Sequence, residues 1–231
     1  LHDALPISDV ATVIAALRDF IGNEHHSTIN VLTRILSDSL ALYDASGTSV
    51  FSGAFAHLRE AFGVTGRVGT QLVPPEKAVR ELFSAIKHDL FHGTAGELQV
   101  ERLTGSQDTK GELLLRLGAA EQPFGVITVG DDVKLKAHLE DRNVAVVSDR
   151  AISDSYFSVV NDDDSPIHVL VGAKKFIEGW SSWRVSAIGL MKIGQNQGPQ
   201  VIQLFGRGVR LQGYEFRLKR SKALEPSRKP D

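Results

Sequence analysis

The sequence predicts an α/β fold in which a parallel sheet follows a mainly helical segment. From Pro123 onward, short apolar stretches alternate with helical or turn stretches, a pattern typical of parallel strands joined by crossovers. Residues 9–62 instead carry apolar side chains at helical spacing. Between these two regions, residues 97–102 and 112–117 read as the two strands of a β-hairpin.

Four helices are predicted before the hairpin. In each, apolar residues recur every three or four positions, which places them on one helix face. The glycine-rich stretch 63–73 ends at two prolines and is interpreted as a linker, because it lacks the Gly-Lys-Ser/Thr ending of a phosphate-binding loop. The predicted helices cover residues 10–21, 29–40, 54–62 and 76–91.

The predicted sheet begins after the hairpin. Its apolar stretches are bounded by turn residues, as expected of buried strands. One helix, capped by Gly130 and Asp131, is predicted at residues 131–139. The predicted strands cover residues 124–129, 144–147, 167–171 and 186–191.

Composition narrows the class of protein. The 231 residues suffice for one large domain, or for one domain plus a smaller unit, and 42% hydrophobic with 23% charged residues is typical of a soluble globular protein. The chain has no cysteine, which excludes disulfides, thiolate metal sites and cysteine nucleophiles. It has no apolar run of about 18 residues. We therefore expect a cytoplasmic protein that does not span a membrane.

The charge is unevenly distributed. The net charge of the chain is -2, yet the part from Gln203 onward has eight basic and three acidic residues. A basic end of this kind suits a phosphate backbone, although a solvated tail is the expected state of residues 221–231. The basic residues are Arg207, Arg210, Arg217, Lys219, Arg220, Lys222, Arg228 and Lys229.

The stretch Gln203-Leu-Phe-Gly-Arg-Gly-Val-Arg210 carries the strongest functional signal. Its two arginines, Arg207 and Arg210, are three residues apart and share one face if the segment is helical. A guanidinium is a fixed fork of donors that stays charged at neutral pH, so such a pair suits a cluster of phosphate oxygens. The motif predicts phosphate recognition, and an ordinary surface ion-pair site is the alternative.

These residues also carry a family resemblance. Gln203, Gly206, Arg207 and Arg210 fill the Gln-x-x-Gly-Arg-x-x-Arg pattern of the sixth motif of superfamily 2 helicases. Together with the upstream Lys-Phe-Ile-Glu-Gly-Trp and Trp-Arg-Val-Ser segments, residues 167–213 resemble the carboxyl-terminal motor lobe of the Res subunit of type III restriction enzymes and related DEAD/DEAH-box proteins.

The resemblance implies a RecA-like second helicase lobe and a role for each matched residue. Arg210 is the expected arginine finger and Arg207 its partner, both acting on phosphate. Nucleotide contacts are expected from Gln203, Gly206, Gly179 and Ser181, of which Ser181 stands where the family commonly has an acid. Contacts to nucleic acid or between lobes are expected from Lys174, Lys175 and Arg184.

The resemblance also implies cofactors and partners. ATP and Mg²⁺ would be bound mainly by a first motor lobe, because this chain has neither a phosphate-loop motif nor an Asp-Glu box. We therefore expect this chain alone to be inactive. The implied partners are DNA, the first RecA-like lobe of the full-length chain and a methyltransferase (modification) subunit.

The expected organisation has four parts. Residues 1–8 are interpreted as a non-native leader, residues 9–73 as a helical connecting segment, residues 74–220 as the RecA-like lobe and residues 221–231 as a basic tail. The function predicted for this fragment is that of an ATP-dependent DNA translocase or helicase motor. The alternative is a non-catalytic nucleic-acid-binding or interaction module derived from a motor lobe.

Three weaker patterns resemble metal-binding or nuclease sites. His88 and His92 are four residues apart, but no third ligand accompanies them, so surface histidines are expected. The acidic run 162–164 is expected to be a solvated turn. Asp132 and Lys134 match half of a restriction-type nuclease site, but helix capping is the preferred interpretation.

Overall fold

The structure is a computed structural model that describes residues 7–22, 27–107, 109–151, 154–172, 182 and 184–189. Within these residues it has five α-helices and seven β-strands. The helices are α1 (Ile7–Gly22), α2 (Ser27–Leu36), α3 (Ala56–Ala61), α4 (Glu76–Ala85) and α5 (Asp132–Glu140). The strands are β1 (Arg67–Val68), β2 (Gln71–Leu72), β3 (Leu98–Leu103), β4 (Glu112–Leu117), β5 (Gly125–Thr128), β6 (Val146–Arg150) and β7 (Val169–Gly172).

The main sheet has five strands in the order β6-β3-β4-β5-β7. Strand β4 pairs antiparallel with both β3 and β5, whereas β6 is parallel to β3 and β7 is parallel to β5. It follows that β6, β3, β5 and β7 all run in one direction and only β4 runs in the other. The carboxyl ends of these four strands therefore lie at one edge of the sheet.

This mixed sheet confirms the α/β class and corrects the prediction of a purely parallel sheet. The predicted hairpin is present, but its strands β3 and β4 lie inside the sheet and the antiparallel β4 is the central strand. The physical reason is the length of the β3–β4 connection, residues 104–111, which is too short for the crossover that parallel neighbours need.

Each face of the sheet is covered by a different part of the chain. On the first face, apolar side chains of β3, β4 and β5 pack against α1 and α5 in one cluster that includes Val10, Ile14 and Leu135. On the second face, Leu114 and Val126 pack against Val160 and Ile167, which belong to the stretch that precedes β7. All six residues of β4 are buried as a result.

The remaining helices form a second layer beside α1. Helix α2 packs against α4 in a separate apolar cluster, and α4 continues into a π-helical turn, Ile86–Leu90. Phe20 of α1 joins this cluster to the core of the sheet, with its ring 5.9 Å from that of Phe83 and 6.5 Å from that of Phe91. Helix α1, assigned by the sequence to the connecting segment, thus shares a core with the sheet.

The predicted helices are confirmed, but α2 ends at Leu36, four residues earlier than predicted, and the last part of the helix predicted at residues 76–91 is the π-helical turn Ile86–Leu90. Two strand boundaries were wrong by about two residues. Val144 is buried but its N–H donates to the carbonyl of Leu139, so it closes α5 and lies before β6. Ile167 packs on the second face of the sheet just before β7 begins.

Two further predictions were tested by the described residues. The strand predicted at residues 186–191 was wrong for residues 186–189, which form no regular structure, and its last two residues lie outside the described ones. The linker at residues 63–73 contains the short antiparallel pair β1–β2. Among the described residues, no helix has the length and apolar character needed to cross a membrane.

Gly111, which precedes β4, lies close to Val129 just after the end of β5, and a substitution there tests this close approach. Its φ angle is +80°, its carbonyl accepts a hydrogen bond of 2.9 Å from the N–H of Val129, and an added Cβ would collide with the carbonyl oxygen of Val129. We expect Gly111→Ala to lower the free energy of unfolding by about 2 kcal/mol or more, measured by urea denaturation.

The matched control is Gly130→Ala. Gly130 follows Val129 directly, has no atom within 4 Å of an added Cβ and does not have a positive φ. We expect this variant to unfold within about 0.5 kcal/mol of the parent chain. Equal stability of the two variants would contradict the described approach of β4 to the end of β5.

Candidate functional site at the carboxyl edge of the sheet

The edge where the four co-directed strands end is the candidate functional site. Thr128, the last residue of β5, is paired with Gly172, the last residue of β7, and on its other side with Glu112 of β4. Leu103 at the end of β3 is paired with Arg150 of β6. In open α/β sheets, ligands bind outside the carboxyl ends of the strands.

Helix α5 begins at this edge. Asp131 is its N-cap, and the Asp131 side chain accepts a hydrogen bond of 2.9 Å from the backbone N–H of Lys134. The cap satisfies one of the free N–H groups of the first turn, which explains why the helix begins at this position. The predicted cap at Asp131 is therefore confirmed.

The next residue, Asp132, is tied to the sheet by an ion pair. Its carboxylate accepts a hydrogen bond from Nε of Arg102 in β3, and the two side chains are 11% and 24% exposed. Every second residue of a strand points to the same face, so Arg102 shares a face with the buried apolar residues Leu98 and Val100. This is the face that α5 covers. The pair fixes the start of α5 over the end of β3.

The nuclease interpretation of Asp132 and Lys134 is not supported by this geometry. Asp132 is buried against Arg102, while Lys134 is exposed. Within the described residues, no group of three or more histidine or acidic side chains could hold a metal ion. Asp131 caps α5, and Asp132 attaches the start of α5 to β3 through Arg102.

On the second face of the sheet, polar groups are buried beside the same edge. Glu112 is fully buried, and its Oε1 accepts a hydrogen bond of 2.6 Å from Oγ of Ser155. Thr128, its neighbour in β5, is 3% exposed, and its hydroxyl has no hydrogen-bond partner within the part of the chain that the structure describes. At this edge, the Arg102–Asp132 ion pair therefore lies on one face of the sheet, and the buried polar side chains of Glu112 and Thr128 lie on the other.

Only part of this arrangement could be predicted from the sequence. Arg102 occupies an inward position in an alternating strand, which signals a need for a buried acid, but the sequence did not identify Asp132 as that acid. Glu112 and Ser155 are 43 residues apart and belong to no motif, so nothing in the sequence pointed to their contact.

Arg184 and Ser182 lie close to the stretch that precedes β7. Nη1 of Arg184 donates to the carbonyl of Val160 at 2.6 Å, and Nη2 donates to the carbonyl of Ser165 at 3.0 Å. The backbone N–H of Arg184 donates to Oγ of Ser182 at 3.1 Å, and Ser182 is buried. The guanidinium predicted to contact nucleic acid or another lobe is thus bonded within the chain.

The other predicted site residues lie outside the described residues. Their segments begin directly after β7 in the sequence and continue to the carboxyl-terminal part of the chain. The roles assigned to them therefore stay predictions. They are Lys174, Lys175, Gly179, Ser181, Gln203, Gly206, Arg207 and Arg210.

His88 and His92 make separate contacts and do not face each other. Nδ1 of His88 is 2.6 Å from Oδ1 of Asp89 on the surface, while Nε2 of His92 is 2.6 Å from the carbonyl oxygen of Pro166. The ring of His92 packs 4.7 Å from that of His168, so it faces the start of β7 and not His88. Residues 162–164 form an exposed turn, as predicted.

The Arg102–Asp132 pair can be measured with a double-mutant cycle. We expect Arg102→Ala and Asp132→Ala to show a coupling free energy of about 1–3 kcal/mol in urea denaturation, because each variant alone removes the contact between two largely buried charges. The control is the exposed pair Arg80–Glu76 of α4, 55% and 73% exposed, for which we expect no more than about 0.5 kcal/mol. Equal coupling in both cycles would contradict the role given to Asp132.

We compared the chain with models of protein families, with curated proteins and with solved structures. None of the three comparisons found a match. The function proposed below is therefore argued from the motif residues, from the resemblance they carry and from the geometry of the carboxyl edge.

Proposed function

We propose that this chain is the second motor lobe of an ATP-dependent DNA translocase or helicase, of the kind found in the Res subunit of type III restriction enzymes or in a related DEAD/DEAH-box protein. The observation that carries the proposal is the uninterrupted match of Gln203, Gly206, Arg207 and Arg210 to the helicase pattern. The pattern combines phosphate-binding arginines with a glycine beside the first of them.

The direction of the strands supports the proposal. A RecA-like lobe binds its nucleotide at the carboxyl ends of co-directed strands, and β6, β3, β5 and β7 all end at one edge. The segment that holds Lys174, Lys175 and Gly179 follows β7 in the sequence, and β7 ends at that edge. The central, antiparallel β4 departs from the parallel sheet that the resemblance implies.

In the proposed mechanism, the first lobe binds ATP and Mg²⁺ and this lobe closes over the phosphates. Arg210 donates to the oxygens of the transferring phosphoryl group and stabilises the charge that develops there, with Arg207 as its partner. Gln203 and Gly206 hold this segment close to the nucleotide, and Gly179 and Ser181 approach it from the upstream segment. Two arginines remain charged at neutral pH, as this role requires.

DNA is the proposed partner of the basic residues. Lys174 and Lys175 contact the phosphate backbone or the first lobe, and the basic tail adds non-specific attraction that salt weakens. A modification methyltransferase subunit is a further proposed partner, and the cytoplasm the proposed location. The chain alone does not hydrolyse ATP in this proposal, because the phosphate-loop and Mg²⁺-binding residues belong to the first lobe.

The arginine finger is testable in a protein that carries this chain together with a first motor lobe. We expect Arg210→Ala to lower DNA-stimulated ATP turnover by on the order of a thousandfold or more, because the charge of the transition state loses its closest donor. The measurement is steady-state phosphate release with and without duplex DNA, accompanied by thermal unfolding to show that the fold persists.

The control for this variant is Arg217→Ala, which removes a basic residue outside the motif. We expect its turnover to stay within about twofold of the parent, since Arg217 is not one of the residues that the helicase pattern matches. Near-normal turnover in Arg210→Ala would contradict the proposal. Salt-sensitive DNA binding that is indifferent to ATP, without turnover in the parent protein, would favour the non-catalytic binding module.

A further inference from the structure

The stretch before β7 is attached to the sheet by its own side chains. Val160 and Ile167 are buried in the cluster on the second face, with Tyr156 and Phe157 packed against it. Between them, backbone bonds from Asp162 to the carbonyl of Val159 and from Ser165 to that of Asp162 fold the acidic residues into an exposed turn. We call residues 156–165 the acidic loop.

The acidic loop is also held from outside by Arg184. The two terminal nitrogens of one guanidinium donate to the carbonyls of Val160 and Ser165, which lie on either side of the acidic residues. A planar guanidinium can reach two acceptors at once with little loss of side-chain entropy, whereas an ammonium cannot reproduce the fork. Hydrogen bonds from a charged donor are stronger than those between neutral groups. Arg184 therefore holds the loop on both sides of its acidic residues, and we call this pair of hydrogen bonds the clasp.

The clasp also fixes the chain that carries Arg184. Ser182 is 4% exposed, and its Oγ accepts from the N–H of Arg184, so the backbone at residues 182 and 184 is held beside the acidic loop. In the sequence, Ser182 directly follows the segment with Lys174, Lys175 and Gly179, and that segment follows the end of β7. The described residues on either side of that segment are thus both held in place, Arg184 by the two carbonyls and Gly172 by its pairing with Thr128.

We infer that Arg184 is a positioning residue, which holds the backbone at residues 182 and 184 beside the acidic loop through the carbonyls of Val160 and Ser165, and that it acts through these contacts and not through DNA. The clasp itself stands on the described contacts, and its consequence for ATP turnover rests on the proposed function. The alternative is a direct contact to phosphate, for which the exposed Arg184 would use the N–H donors that these two bonds leave.

The first test measures the clasp in this chain by amide hydrogen exchange. We expect Arg184→Ala to raise exchange in residues 156–165 by about tenfold, with β4 unchanged as the internal reference, because the loop loses two bonds from a charged donor. Arg184→Lys should give an intermediate increase. Arg80→Ala, which removes an exposed arginine of α4, is the control and should leave the loop unchanged. Unaltered exchange in Arg184→Ala overturns the inference.

The second test separates positioning from DNA contact in the protein with both lobes. We expect Arg184→Ala to leave the dependence of DNA affinity on salt concentration unchanged, whereas loss of a phosphate contact lowers that slope by about one. We also expect at least a tenfold fall in the kcat of ATP hydrolysis, partly restored in Arg184→Lys. A lowered salt slope, or a kcat equal to that of the parent, overturns the positioning role. Normal turnover in Arg210→Ala would instead show that the proposed function is wrong, whatever the exchange experiment shows.

Discussion

The complete burial of β4 is the constraint on which the rest of the structure depends. This central strand carries Glu112 and Arg116, and a buried charge is costly unless it is paired. Nε of Arg116 donates to Glu101 of β3 at 3.0 Å, and its Nη1 donates to the carbonyls of Ala120 and Glu121. Glu112 accepts from Ser155. Both faces must therefore be covered, and these polar partners help to fix where the covering segments lie.

The direction of β4 organises the functional edge as well. Because β4 is antiparallel to both of its neighbours, β3 and β5 run in the same direction, and each pairs with a parallel outer strand. Arg102, Glu112 and Thr128 gather at the edge where β3 and β5 end and β4 starts, whereas the Arg116–Glu101 pair lies further from this edge within β3 and β4. The partner of Arg102 comes from the start of α5, and that of Glu112 is Ser155. Polar contacts thus attach the start of α5 and Ser155 at this edge, while most of the contact on both faces of the sheet is apolar.

Local patterns predicted the local parts of this arrangement. The helices and the β3–β4 hairpin follow from the spacing of apolar residues and from a short connection, both of which are readable within one segment. The order of the strands depends on pairings between distant segments. Val144 and Ile167 are buried because they pack just before a strand, so their apolar character alone did not show where the strand begins. The partner of Arg102 is 30 residues away, so periodicity carried no information about it. The motif arginines could be recognised because their chemistry depends on residue type and spacing, not on the strand order.

A guanidinium that already donates to groups within the chain has fewer N–H donors left for a phosphate. Arg102, Arg116 and Arg184 each donate to a carboxylate or carbonyl within the chain, which shows why a count of basic residues does not identify a nucleic-acid surface. The motif arginines differ in their sequence context. Gly206 and Gly208 flank Arg207 in the sequence, and each glycine would cost a helix about 1 kcal/mol relative to alanine. A glycine also lets the backbone come close to a ligand, because it has no Cβ. This sequence context of Arg207, together with its spacing from Arg210, is the physical basis of the proposal that the two arginines recognise phosphate.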